Sequence, residues 1–153
     1  MIALMNGGNC SDLAVRRALA HSTLLSADVA AAFDPNYPSV GDNANFAAIG
    51  QGIAMVKYTG SRGKSGANDA AAELVGKVRK LFNDHGVVYQ TSELGKVDQG
   101  GGGTIAYIMA NYDMDVIDAG VAMLSMHAPW EIVSKADVYM TSRAYHEFFV
   151  NYR

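Results

Sequence analysis

Val97-Asp98-Gln99-Gly100-Gly101-Gly102-Gly103-Thr104-Ile105-Ala106 holds four consecutive glycines, and this run constrains the chain more than any other stretch. Glycine loses more conformational freedom on ordering than any other residue. Four in a row are therefore not there for packing; they suit backbone that comes close to something else. Thr104 to about Tyr112 is expected to be helical, so the glycines would sit at a helix N-terminus, where free N–H groups favour an anion or a carbonyl oxygen. Composition alone reads the run as a flexible loop before a helix. The turn it leads to, Leu124-Ser125-Met126-His127-Ala128-Pro129-Trp130-Glu131, shifts that balance by adding a histidine.

Around this run, short apolar segments alternate with helical patterns. Ser11 or Asp12 can cap a helix to about His21. Leu24-Leu25-Ser26-Ala27-Asp28-Val29 reads as a buried strand ending near a carboxylate. Phe33-Asp34-Pro35-Asn36-Tyr37-Pro38 opens an irregular loop to about Gly50. Gly52 to Tyr58 is a second expected strand, and Thr59 to Gly66 a loop. That loop resembles a phosphate loop only faintly, because Lys64-Ser65 lacks the glycine spacing the motif needs. Asn68 is expected to cap a helix to about His85, with Ala71, Leu74, Val75, Val78, Leu81 and Phe82 on one face and Gly86 just past its end. Val87 to Thr91 and Val116 to Gly120 are further strands. A short helix over Trp130 to Ser134 and a last one from about Lys135 to Tyr152 complete the chain. The last helix is expected to bury Val138, Tyr145, Phe148, Phe149 and Tyr152. The alternation predicts an α/β fold with a largely parallel sheet covered on both faces.

The 153 residues suffice for one domain with a real core. The net charge of −3 comes without a basic block or stripe, which argues against a nucleic-acid partner. No run is long and apolar enough to span a membrane, and the first residues have no basic flank of a signal peptide. A single cysteine, Cys10, cannot form an internal disulfide, which fits a reducing cytoplasm.

Ligands in such sheets collect in the loops beyond the strand ends. Asp28 and His127 both fall there and are zinc-ligand types, but a catalytic zinc takes about three protein ligands. Each also fits a plain structural role, Asp28 as a capping or solvated carboxylate and His127 as a core histidine. Asp118 ends a strand and could orient His127 as a hydrogen-bond acceptor, or simply cap the following turn. His21, His85 and His146 read as surface positions. Cys10 has no basic neighbours to activate it. Glu93, Asp98 and Glu131 are acidic groups in the right loops, without a spacing that assigns a role.

Ser26-Ala27-Asp28-Val29 with Asp34-Pro35-Asn36-Tyr37, then Asp98 to Ile105, Asp118-Ala119-Gly120 and Ser125-Met126-His127, in this order, resemble the C-terminal part of the aspartyl aminopeptidase/aminopeptidase I family of zinc exopeptidases. The resemblance covers nearly the whole chain. It implies a three-layer α/β/α fold with a mixed, largely parallel sheet, residues 1–153 forming the last part of a catalytic domain. It implies that Asp28 and His127 bind metal, and that Gly101, Gly102, Gly103 and Thr104 lie by the substrate. Lys57 matches a basic position near the specificity pocket. It further implies two zinc ions per intact site, with cobalt or manganese as alternatives, peptide substrates, and a homo-oligomer. The eukaryotic branch carries histidines where this chain has Ala31 and Asp34, so its preference for acidic N-terminal residues does not carry over. The family's first metal-binding His, bridging Asp and adjacent Glu pair precede the matched segment, and its oligomerising domain has no counterpart here. The isolated chain is accordingly expected to be inactive. The alternatives are a non-catalytic segment and, with less support, a phosphate-binding α/β domain.

Overall fold

Short runs of β-branched and apolar residues, each bounded by turn residues, build the central sheet of the computed structural model, which describes residues 2–5, 7–8, 11–62, 65–96 and 101–153. Cys10, Lys64, Asp98 and Gly100 lie outside the described residues. The sheet comprises β1 (Thr23–Ser26), β3 (Ile53–Val56), β6 (Tyr89–Ser92) and β7 (Asp115–Gly120), in the order β1-β7-β3-β6. β1 runs parallel to β7 and β3 parallel to β6, while β3 and β7 are antiparallel. The sheet is therefore mixed, with two parallel pairings and one antiparallel, as the resemblance implies, and the class is α/β, as the alternation of elements implies.

Strand residues point alternately to the two faces. Ile53, Met55, Ile117 and Ala119 point to one face. They pack there on Leu74, Val78, Leu81 and Phe82 of α3 (Ala72–Asp84) and on Ala144 of α5 (Lys135–Asn151). Ala54 and Val56 point to the other face. They meet Ala30 of β2 (Ala30–Ala31), Ala47, and Ala122 of β8 (Ala122–Leu124). β2 and β8 are parallel neighbours in a second, three-stranded sheet with β9 (Ile132–Val133).

The N-terminal helices are α1 (Ile2–Met5) and α2 (Asp12–Ala20), the latter capped by Ser11 Oγ, which accepts the Ala14 N–H at 3.2 Å. Elsewhere the structure corrects several expectations. Thr59 to Gly66 is not simply a loop: β4 (Tyr58–Ser61) and β5 (Ser65–Asp69) pair antiparallel through it. Asn68 is consequently a strand residue, and its amide donates to the Val116 carbonyl at 3.0 Å instead of capping α3. The helix expected from Thr104 is only five residues long, α4 (Ala106–Ala110). In place of a short helix over Trp130 to Ser134, β9 pairs Ile132 with Leu124 and Val133 with Met123. β-branched residues suit such an edge.

α5 buries the expected stripe only in part. Asp137, Thr141 and Ala144 face inward, whereas Val138 is 47% and Phe149 85% exposed. Tyr145, Phe148 and Tyr152 are partly buried against the core, with the Phe148 and Tyr152 rings stacked at 4.7 Å. The burial of Asp137 has a structural reason. Its carboxylate accepts the N–H groups of Gly50 at 2.6 Å and Gly52 at 2.8 Å, fixing the chain where it enters β3. Among the described residues no helix is long and apolar enough to cross a membrane.

Candidate metal and substrate site

The two sheets meet where β1 hands over to β2 and β7 hands over to β8. Asp28 lies in the three-residue link on the first path, opposite Gly120 on the second. A Cβ at Gly120 would fall 1.9 Å from the Asp28 carbonyl oxygen, so only glycine admits this approach. The Asp28 carboxylate accepts its neighbour's Val29 N–H at 2.9 Å, and the residue stays half-buried. Further along, β8 leads into the Ser125–Glu131 turn, which returns as β9. Ser125 and His127 both take left-handed backbone, with φ of 56° and 67°. This is sparsely populated space for residues with side chains, and such conformations concentrate at functional turns. The His127 N–H donates to Glu131 Oε1 at 2.8 Å.

The described part of the glycine run approaches the same place from the β4–β5 side. Gly101 has φ 87°, and a Cβ there would lie 2.6 Å from the Gly60 carbonyl oxygen. The Gly60 N–H donates to the Gly102 carbonyl at 3.1 Å. Close backbone approach is thus what Gly101 serves, against the protein's own hairpin, whereas a Cβ at Gly102 or Gly103 would meet only ordinary contacts. Thr104 ends the run. Its hydroxyl donates to Asp118 Oδ2 at 2.9 Å and accepts the Ala106 N–H at 3.2 Å.

Asp28, His127, Gly101, Gly102, Gly103 and Thr104 line one open cavity of about 350 Å³. Six of the eight residues singled out in the sequence therefore come together, from opposite ends of the chain. The remaining two stand elsewhere. Lys57 is not part of this wall; it is exposed and ion-paired with Asp69, an arrangement open to solvent and of small energetic weight. Asp118 lies behind Thr104 and makes no hydrogen bond to His127, so the expected orienting contact is replaced by one to Thr104. The cavity also takes in Val40, Phe46, Leu94, Gly95 and Met126. Leu94-Gly95 follows a strand end and was open to inference from that rule. Val40 and Phe46 come from the irregular loop, where no periodicity marks them.

Asp118 is the electrostatic peculiarity of the site. It is 1% exposed, and burial pushes its pKa above the usual carboxylate value. The Ser26 and Thr104 hydroxyls oppose this, while the nearby Asp28 charge adds to it. Ser26 acts from across the β1–β7 register without reaching hydrogen-bond geometry: its Oγ and Asp118 Oδ1 are both buried without a partner. Unpaired oxygens in a buried position beside a second carboxylate are what a nearby cation would favour. Carboxylate and imidazole are also zinc donors, so Asp28 and His127 fit one part of a zinc site. Among the described residues no group of three His, Cys, Asp or Glu side chains is placed to hold a metal ion, which leaves such a site short of ligands within them.

Comparison with known proteins identifies relatives of the same architecture. The chain is 58% identical over 144 residues to a probable M18 family aminopeptidase 1 of Clostridium acetobutylicum, covering 94% of this chain and 31% of the relative. It is 50% identical over 144 residues to the corresponding Thermotoga maritima protein, covering 94% and 32%. The crystal structure of an M18 aminopeptidase from Thermotoga maritima superposes with a TM-score of 0.88 at 49% identity, covering 94% of this chain and 32% of that one. A yeast mApe1 dodecamer shares the fold at 23% identity, with a TM-score of 0.71, covering 98% and 32%. The chain thus spans about a third of the length of the curated relatives it matches. The family model for the aminopeptidase I zinc metalloprotease (M18) matches residues 2–149, and the chain belongs to that family.

Proposed function

We propose that this chain supplies part of the active site of a zinc-dependent aminopeptidase that removes N-terminal residues from peptides. The observation that carries the proposal is the shared cavity, where Asp28, His127 and the Gly101–Thr104 backbone meet. Asp28 and His127 would each hold a metal position, of two in the complete site; zinc is the family's metal, and cobalt or manganese would be the alternatives. When bound, the metal supplies Lewis-acid polarisation of the scissile carbonyl and a water of lowered pKa. The Gly101–Thr104 segment offers backbone N–H groups to a substrate carbonyl or its oxyanion. Thr104, tied to Asp118, keeps the end of that segment fixed. Val40, Phe46, Leu94 and Met126 make the rest of the wall apolar. The general base and the remaining ligands would come from outside these 153 residues. An oligomer accords with the dodecameric yeast neighbour, and a cytoplasmic location with a single cysteine.

The test is a rate measurement on aminoacyl amides with zinc, cobalt or manganese supplied, using the isolated chain and the longer protein that completes the site. The isolated chain should be inactive, because removing a general base alone costs about 10² to 10⁴ in rate. The completed protein should hydrolyse the amides, lose activity in His127→Ala and keep it in His146→Ala. Equal rates for His127→Ala and wild type would reject the assignment.

A further inference from the structure

We propose that Glu131 is a positioning residue for His127, holding the histidine's backbone in the conformation that presents its imidazole to the cavity. This rests on the reading of His127 as a metal ligand. The turn between β8 and β9 spans seven residues and is pinned at both ends, because Leu124 pairs with Ile132. Within it, Ser125 and His127 both have left-handed backbone. Two contacts keep the chain there. The Ala128 N–H donates to the Ser125 carbonyl at 3.0 Å, and the His127 N–H donates to Glu131 Oε1 at 2.8 Å. The second is a charge-assisted bond to the very residue that must stay at φ 67°. Without it, His127 has reason to relax to negative φ, which redirects its Cβ and moves the imidazole away from Asp28. Glu131 itself is not among the residues lining the cavity, so it acts through His127 and not on substrate.

The experiment compares Glu131→Ala, Glu131→Gln and His127→Ala in the full-length metalloprotein. Three readouts are used: zinc retained in competition with a chelator, the visible spectrum of the cobalt-substituted protein, and kcat and KM separately. Glu131→Ala should weaken metal retention about 10- to 100-fold, the usual effect of losing a group that orients a ligand. It should also change the cobalt bands and lower kcat with KM little altered. Glu131→Gln keeps an acceptor oxygen and should restore retention to within a few-fold of wild type. Wild-type retention and cobalt bands in Glu131→Ala, with His127→Ala depleted of metal, would overturn the proposal alone. Glu131→Gln as damaged as Glu131→Ala would overturn it too, since a replaced acceptor then rescues nothing. Undiminished metal in His127→Ala would instead reject the ligand assignment on which the proposal stands.

Discussion

Gly120→Ala should damage Asp28 without touching any group that does chemistry. The new Cβ would lie 1.9 Å from the Asp28 carbonyl oxygen, 2.7 Å from its carbonyl carbon and 3.3 Å from Val29 Cα. Ordinary contact begins at 3.4 Å, so one backbone or the other must retreat by about 1.5 Å. β7 is held between β1 and β3, whereas Asp28 sits in a three-residue link, so Asp28 is the part that moves. Overpacking of this kind costs about 1–3 kcal/mol of stability. A misplacement near 1 Å at a reacting centre costs about 10² in rate. Gly76→Ala is the matched control. Gly76 lies inside α3 and is exposed, with nothing within 4 Å of an added Cβ, so alanine there should stabilise by about 0.5–1 kcal/mol. Urea unfolding measures the first quantity, and metal retention with hydrolysis rate the second. Gly120→Ala with wild-type stability and metal content would refute the claim that this close approach sets the position of Asp28.

Three further outcomes are expected. Asp118 has a raised pKa, so between the ordinary carboxylate value and that raised value the folded state holds a proton the unfolded state has lost; stability of the metal-free protein should therefore fall as pH rises through the folded pKa, and Asp118→Asn should flatten this slope in urea midpoints taken across pH 4 to 8. Burial first, and the Asp28 charge second, push Tyr145 up to about 12, so one of the eight tyrosines should ionise late in an ultraviolet titration, and its contribution to stability should be lost as pH rises from about 10 to 12; Tyr145→Phe should remove that late step and, with it, the hydrogen bond to the Ala119 carbonyl, worth about 1 kcal/mol. Asp137→Ala should destabilise by about 2–3 kcal/mol in chemical unfolding, because the buried N–H of Gly52 and the part-buried N–H of Gly50 lose a charged acceptor.

The residues that were legible in the sequence are those whose role follows from local chemistry. The 3.6-residue stripe of α3 was readable because Leu74, Val78, Leu81 and Phe82 are apolar and all turned inward. The positions of Asp28 and His127 beyond strand ends followed from the alternation of elements. What escaped were positions decided by partners far along the chain. Asn68 looks like a helix cap until β5 carries it to the Val116 carbonyl. Asp137 and Thr141 look like an outer face until Gly50 and Gly52 bring their N–H groups to Asp137. Hydropathy alone therefore placed Val138 and Phe149 inside and missed Asp137 and Thr141, although Tyr145, Phe148 and Tyr152 do pack against the core. The β4–β5 pairing was hidden because Gly60 and Gly66 carry no side-chain periodicity. At the site, Glu131 was visible as an acidic group but not as a partner, since a side-chain bond to a backbone N–H four residues back depends on a left-handed turn that no periodicity announces.

The central claim is that Asp28 and His127 face a common metal-holding cavity. An anomalous difference map, recorded at the zinc absorption edge on crystals of the full-length zinc-loaded protein, tests it most directly. Zinc density is expected about 2.0–2.2 Å from an Asp28 carboxylate oxygen and from a His127 imidazole nitrogen, on one ion or on two adjacent ones. Zinc bound instead beside His85, His146 and Glu147, where two described histidines meet a carboxylate, with Asp28 and His127 bare, would contradict it.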